Sequence, residues 1–230
     1  MEDLLTLGGL FVGTPAPLGP EPLEVLSSIR KHPVESAELA LGHVGLHGDR
    51  QADMVAHGGP DKAVYMYPAQ HYAFWTAEGY DFVPGGIGEN ATVTGQDERT
   101  VRIGDVWSWG DAVVQVSQPR TPCYKFALRA GRKEATAQMI RSGLTGWYLR
   151  VLQTGQVPVT GTLRLLARDT TAPTIHELFS TSYAREYDAD ALHRMVSTPA
   201  LADQWRAGVL KRLHRTEAVQ GDSGRTYRAR

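Results

Sequence analysis

Val101-Arg102-Ile103-Gly104-Asp105-Val106-Trp107-Ser108-Trp109-Gly110-Asp111-Ala112-Val113-Val114-Gln115-Val116-Ser117 contains three short apolar runs in succession. They are Val101 to Ile103, Val106 to Trp109 and Ala112 to Ser117, separated by Gly104-Asp105 and Gly110-Asp111. β-Branched and aromatic residues suit strands, and Gly-Asp pairs are turn signals. The same texture continues on both sides. Leu10-Phe11-Val12, Val34 to Val44, Ala63 to Tyr67, Ala91 to Thr94, Trp147 to Leu152 and Thr160 to Leu166 are further strand candidates, several closed by Pro or Gly. Many short strands at this spacing predict a mainly β fold, a barrel or a sandwich. Two helices are expected to interrupt them. One runs from Pro68 to Glu78, proline being tolerated in a first helical turn, and the other from Arg132 to Arg141, stopping before Gly143.

The character changes after Arg168, where Asp169-Thr170-Thr171-Ala172-Pro173 reads as a connector. Three short helices are predicted beyond it. Thr174 caps the first, with Glu177 three residues on as a capping box. Asp188 caps the second, which presents Leu192, Met195 and Val196 on one face. The third runs from about Leu201 to Leu213 with Leu201, Trp205, Val209, Leu210 and Leu213 at helical spacing. The expected organisation is a β domain over residues 1–168, a three-helix domain over 169–214 and a flexible polar tail over 215–230 carrying Arg225, Arg228 and Arg230.

Composition narrows the function classes. The 230 residues suit one large domain or a domain with an annex, and 42% hydrophobic with 21% charged residues is ordinary for a packed protein. Lys plus Arg is 24 against 25 for Asp plus Glu, so nucleic acid is not expected as the main partner. No apolar run approaches the roughly 20 residues of a membrane-spanning helix, and no membrane partner is expected. The opening Met1-Glu2-Asp3-Leu4-Leu5 is acidic and does not read as a signal peptide. The one cysteine, Cys123, allows no internal disulfide, no Cys-based zinc site and no Cys-ligated iron–sulfur cluster, and it fits a reducing, cytoplasmic setting.

Four polar segments could carry chemistry. Gly45-Leu46-His47-Gly48-Asp49-Arg50-Gln51-Ala52-Asp53 is either a surface loop or the wall of a pocket for an anionic ligand. His57-Gly58-Gly59-Pro60-Asp61-Lys62 places an imidazole, a carboxylate and an amine at the mouth of the Ala63 to Tyr67 strand. Gly86-Ile87-Gly88-Glu89-Asn90-Ala91-Thr92 is Gly-rich without the spacing of a dinucleotide or P-loop fingerprint. Gln118-Pro119-Arg120-Thr121-Pro122-Cys123-Tyr124-Lys125-Phe126 holds the cysteine in a Pro-stiffened loop between two cations, which favour the thiolate.

In order and spacing, Gly48-Asp49-Arg50-Gln51-Ala52-Asp53, His57-Gly58-Gly59-Pro60-Asp61-Lys62-Ala63-Val64, Gly88-Glu89-Asn90 and Gln118-Pro119-Arg120-Thr121-Pro122-Cys123 resemble the MOSC domain family. The likeness is closest to its bacterial 6-N-hydroxylaminopurine resistance, YiiM-like branch. Tyr187-Asp188-Ala189-Asp190-Ala191-Leu192 and Leu201 through Leu213 resemble the three-helix C-terminal domain of that branch, so the likeness covers roughly residues 5 to 213.

The resemblance implies a β-barrel that binds the molybdenum cofactor, a metal held by a pyranopterin dithiolene, with Cys123 as a further sulfur ligand. A soft thiolate suits such a centre. Ser28, Arg30, Lys31, Asp49, Arg50, Glu89, Asn90, Arg120 and Thr121 are the implied cofactor-binding residues, the cations and hydroxyls for its phosphate. The implied activity is reduction of N-hydroxylated bases and related N-oxygenated compounds, a detoxification of hydroxylaminopurine-type analogues. His57, Asp61 or Lys62 would supply protons or orient the substrate, imidazole being the side chain that exchanges protons near neutrality. Electrons would come from a separate flavin or iron–sulfur donor protein. The three-helix segment could serve as a lid, a docking surface or a homodimer contact. The alternative is a non-catalytic cofactor or sulfur carrier using Cys123. A Cys123–His57–Asp61 hydrolase fits residue types only, because no hydrolase signature surrounds the cysteine.

Overall fold

The structure, a computed structural model, describes residues 4–22, 24–54, 57–185 and 188–226, the stretch 216–226 as backbone alone. Met1 to Asp3, Tyr187 and the terminal Arg228 and Arg230 lie outside the described residues. The strands are β1 Leu4–Val12, β2 Ala16–Leu18, β3 Val25–Ser27, β4 His32–Pro33, β5 Glu38–Gly42, β6 Gly45–Leu46, β7 Val64–Pro68, β8 Ala91–Thr94, β9 Val106–Trp109, β10 Ala112–Pro119, β11 Trp147–Gln153, β12 Gly155–Pro158 and β13 Gly161–Ala167. The helices are α1 His71–Ala77, α2 Tyr124–Ala130, α3 Ala135–Ser142, α4 Ile175–Tyr183, α5 Ala189–Val196 and α6 Asp203–Thr226.

Seven strands close into a barrel in the order β1-β13-β9-β10-β11-β7-β8, and β8 returns to β1. Alternation decides what fills it. Trp107 and Trp109 of β9 and Ala112, Val114 and Val116 of β10 are buried inside, with less buried residues between them. The Gly110-Asp111 loop joins these two strands. Gly110 has φ 55°, and a Cβ there would lie 2.4 Å from the Gln156 carbonyl oxygen, so glycine is required. Every neighbouring pair in the ring is antiparallel except β7–β8. A parallel pair needs a crossover, and this one carries α1 and the Gly85 to Gly88 loop.

Strand β7 is buried on both faces. Val64 and Met66 belong to the barrel core, whereas Tyr65 and Tyr67 join an outer aromatic cluster with Trp75, Tyr80, Phe82 and Phe126. That cluster seats α1, α2 and α3 against the barrel wall. The C-terminal helices share the main core, which includes Ile175, Leu178, Phe179, Leu192, Met195, Trp205 and Val209. Thr174 and Glu177 form the expected capping box, and the Asp188 side chain caps α5.

Several elements differ from the sequence reading. Val101 to Ile103 is not a barrel strand. Its backbone bonds to the start of the helical segment, Ile103 N–H to Pro173 O and Ile175 N–H to Val101 O, with one isolated bridge at Arg102–Thr174. The first helix begins at His71 because Pro68 still belongs to β7, paired with Val93. The Val34 to Val44 run is a strand only over Glu38–Gly42. The loop after β10 is helical from Tyr124 to Ala130, helix α2, where the sequence pattern predicts only a loop. The third C-terminal helix does not stop near Leu213 but continues to Thr226. Among the described residues, no helix is long and apolar enough to cross a membrane.

Candidate active site

Strand β10 ends at Pro119, and the next residues turn the chain into α2. Arg120 is held first, its N–H donating to the Gly146 carbonyl and its guanidinium to Met139 Sδ. The guanidinium carbon lies 4.7 Å from the Phe126 ring centre and 5.3 Å from that of Tyr65. Arg120 is 5% exposed and has no carboxylate partner among the described residues. Its ionisable neighbours are the Cys123 thiol and the Tyr65, Tyr67 and Tyr148 hydroxyls, so the guanidinium stabilises negative charge in this part of the cleft. Cys123 follows as the N-cap residue of α2, extended at φ −128°, ψ 170°, with its carbonyl accepting from Phe126 N–H and Thr136 Oγ1.

Cys123 Sγ lies 3.5 Å from His57 Nε2. Burial pushes the thiol up, but the His57 hydrogen bond, the Arg120 charge and the Lys125 N–H outweigh it and hold its pKa at about 7. His57 Nδ1 is buried without a hydrogen bond, 3.8 Å from Asp53 Oδ2.

These groups line a cleft of about 670 Å3, counting its open mouth. Cys123, His57, Lys62, Arg120, Thr121, Ser28, Lys31 and Asn90 all reach it. Lys62 is buried, which lowers its pKa against the opposing charges of Asp53 and Asp61, and its Nζ donates to Gln204 Oε1 of α6 at 2.5 Å. Lys31 is also pushed down by burial, although Asp49 holds it charged through a close ion pair. Ser28 Oγ is buried with no partner. Asn90 spends its amide on the backbone, accepting from Tyr65 N–H and donating to Phe11 O.

Other expected residues are not brought to the cleft. Asp61 is turned to Arg150, 2.7 Å away, so its carboxylate is occupied outside the site. Glu89 is fully buried and accepts from Gly85 N–H, Ile87 N–H and the Tyr72 hydroxyl, which shapes the Gly-rich loop rather than meeting a ligand. Burial raises its pKa in spite of those donors. Asp49 stands behind Lys31 and also accepts from Gly13 N–H and Gln51 Nε2. Arg30 and Arg50 are exposed outside the cleft lining. Conversely Tyr65, Tyr148, Gln51 and Lys125 line the cleft. Tyr65 is a strand residue whose outward register carried the signal. Gln204 lies 142 residues from Lys62, and no local pattern announces that contact.

Family models match the MOSC domain over residues 53–164 and the YiiM-like, 3-alpha helix domain over residues 173–216. Protein YflK of Bacillus subtilis is 40% identical over 95% of this chain and 99% of its own length. The crystal structure of YiiM from Geobacillus stearothermophilus superposes with a TM-score of 0.77 at 33% identity, covering 91% of this chain and 99% of that one. The chain belongs to the MOSC family, in its YiiM-like branch. A Gibberella moniliformis protein named Reductase is 37% identical over 63% of this chain, which spans 26% of that protein.

For a MOSC chain the question is whether the cleft fits a molybdenum cofactor. Among the described residues no group of three His, Cys, Asp or Glu could hold a metal ion, so a metal reaching Cys123 must bring its other ligands with it. The cofactor's dithiolene does so. Its phosphate needs cations and hydroxyls, and the cleft offers Arg120, Lys125 and the orphaned Ser28 hydroxyl. The residues present fit the group.

Proposed function

We propose that this MOSC protein is a molybdenum-cofactor-dependent reductase of N-hydroxylated bases and related N-oxygenated compounds. The observation that carries this reading is the Cys123 thiol, held near pKa 7 in a cationic cleft beside His57. The Gibberella relative's name points the same way. Residues 1–168 would hold the cofactor and the helices of 169–214 would border its cleft.

When bound, the cofactor supplies a two-electron centre that accepts oxygen from nitrogen. Cys123 would donate a thiolate ligand, its charge steadied by Arg120. Arg120, Lys125 and the Ser28 hydroxyl would hold the phosphate, with Lys31, paired to Asp49, at the edge of the same cleft. The overall reaction is R–NHOH + 2 e⁻ + 2 H⁺ → R–NH2 + H2O. His57 holds a proton at the thiol side of the cleft, and Lys62, kept in place by Gln204, is the second proton-bearing group. Asp61 acts at most through Arg150. Electrons come from a separate flavin or iron–sulfur protein, since one cysteine cannot hold a Cys-ligated cluster. A cytoplasmic location suits the free thiol.

The test is turnover. Cofactor-loaded protein with a reduced dye should convert 6-N-hydroxylaminopurine to adenine, and NAD(P)H alone should not drive it. Loaded protein that reduces no N-hydroxylated compound, yet carries a persulfide on Cys123, would make it a carrier instead.

A further inference from the structure

The proposed reaction consumes two electrons per turnover, and with one cysteine this chain has no Cys-ligated cluster of its own to supply them. A partner must bring its redox group to the rim of the cleft. Lys125 lines the cleft two residues from Cys123. Arg129 stands one helical turn further along α2, on the same face. Lys125 Nζ donates to Leu26 O of β3 at 2.9 Å. The Arg129 guanidinium lies 5.8 Å from the Phe82 ring centre, and a Cβ on Gly86 would be 3.6 Å from its Nη2. The charge of Arg30 acts on it as well. One rim of the cleft is thus shared by β3, the start of α2 and the Gly-rich loop.

The charge on this rim is unbalanced. Elsewhere in the barrel domain Lys31 is matched by Asp49, Arg150 by Asp61 and Arg168 by Asp105. Arg30, Lys125 and Arg129 have no carboxylate partner among the described residues. Arg129 Nε is buried without a hydrogen bond, and burial and the Arg30 charge both lower the pKa of its guanidinium. Two arginines that repel each other lower stability until something negative faces them. Apolar surface is exposed beside them. Leu26 and Tyr124 are each 60% exposed and Val83 is 65% exposed, its carbonyl accepting from Gly86 N–H next to Arg129. A small anion would use the cations and leave these three side chains in water. Apolar side chains set among arginines are what a protein interface covers.

We propose that Arg30, Lys125 and Arg129, with Leu26, Tyr124 and Val83, form the docking surface for an electron-transfer protein whose flavin or iron–sulfur group is exposed within an acidic face. The cations steer and orient that face, and the three apolar side chains are covered on docking. The partner's redox group is brought to the rim at Lys125, beside Cys123. One two-electron donor, or two one-electron donors, are oxidised for each R–NHOH reduced to R–NH2, and two protons leave as part of the water. That the docked protein delivers electrons rests on the reductase reading; the surface and its preference for an acidic protein do not.

Titration calorimetry of cofactor-loaded protein with an acidic flavodoxin and an acidic plant-type ferredoxin tests it, beside turnover driven by a reduced dye that needs no docking. Circular dichroism confirms that each variant is folded. Wild type should bind at least one of the two proteins, and binding should weaken about tenfold as salt rises from about 50 to about 300 mM. Arg129→Ala and Val83→Asp should each weaken it roughly three- to tenfold while dye-driven turnover stays that of wild type. Arg99→Ala, at an exposed position outside the patch, should bind as wild type does. Wild type that binds neither protein, binding that ignores salt, variants that bind as wild type does, or an equal loss in Arg99→Ala would overturn the surface. If Arg129→Ala and Val83→Asp alone lose binding while wild type reduces nothing with the dye, the surface stands and the reductase reading falls. If the dye drives reduction and both variants keep wild-type affinity, the reductase reading stands and the surface falls.

Discussion

At the residue scale the chemistry turns on Cys123. Its burial and its neighbours act in opposite directions, and the His57 hydrogen bond with the Arg120 charge wins. In cofactor-free protein the rate of alkylation by iodoacetamide should therefore rise through a midpoint near pH 7. His57→Ala removes a stabiliser of the thiolate, so its midpoint should move up towards the ordinary thiol range and alkylation at pH 7 should slow. An unchanged midpoint would show that the 3.5 Å contact does not tune the thiol. Glu89 illustrates a different kind of importance. It satisfies two buried N–H groups of the Gly85 to Gly88 loop, and Glu89→Ala leaves both unpaired. Each such group costs about 1–3 kcal/mol, so denaturant titration should show a loss of roughly 2–6 kcal/mol. Residue types near the site were legible in the sequence, but their assignments were not. Cys123, His57 and Arg120 meet in the cleft, whereas Asp61 and Glu89 stand in the same motifs and serve Arg150 and a loop. Motif spacing says which residues travel together, not which way each side chain turns.

At the scale of elements, strands joined by a clear turn and helices with a capping side chain, such as those after Thr174 and Asp188, were legible, and elements without such punctuation were not. Val106–Trp109 and Ala112–Pro119 announced themselves by alternation and a Gly-Asp turn. Helix α2 did not, because Pro122 and the cations around Cys123 look like loop chemistry and its seven residues bury only Phe126. Its end was legible in principle, with Gly131 left-handed at φ 66°. The loop before β11 carries a sharper requirement. Gly146 has φ 64°, a Cβ there would lie 2.2 Å from the Met66 carbonyl oxygen, and its own carbonyl receives the Arg120 N–H. Gly146→Ala should cost at least ~2 kcal/mol and displace Arg120. The check is a chemical melt beside the Cys123 alkylation profile, whose midpoint should rise as the cation moves away. A variant as stable as wild type would contradict the account of this turn.

At the scale of the whole molecule, the barrel and the C-terminal helices are joined through one core. Ile175, Phe179 and Trp205 belong to the same buried cluster as Trp107 and Leu149. Backbone bonds such as Ala202 N–H to Ser117 O stitch the two parts together directly below the cleft strand β10. Calorimetry of the full chain should therefore show one cooperative transition. Two well-separated transitions would mean that the helices are an independent annex. The change of character after Arg168 was visible in the sequence, but the shared core was not, because periodicity reports a buried face without naming what covers it. The most direct test of the central claim is molybdenum per polypeptide, with sulfur coordination by X-ray absorption, for wild type and Cys123→Ser expressed where the cofactor is made. The account predicts close to one molybdenum per wild-type chain and, in the variant, either a marked loss of metal or one sulfur fewer around it. Protein that carries neither molybdenum nor pterin, from a host that loads another molybdoenzyme, would contradict it, as would a Cys123→Ser centre with unchanged sulfur coordination.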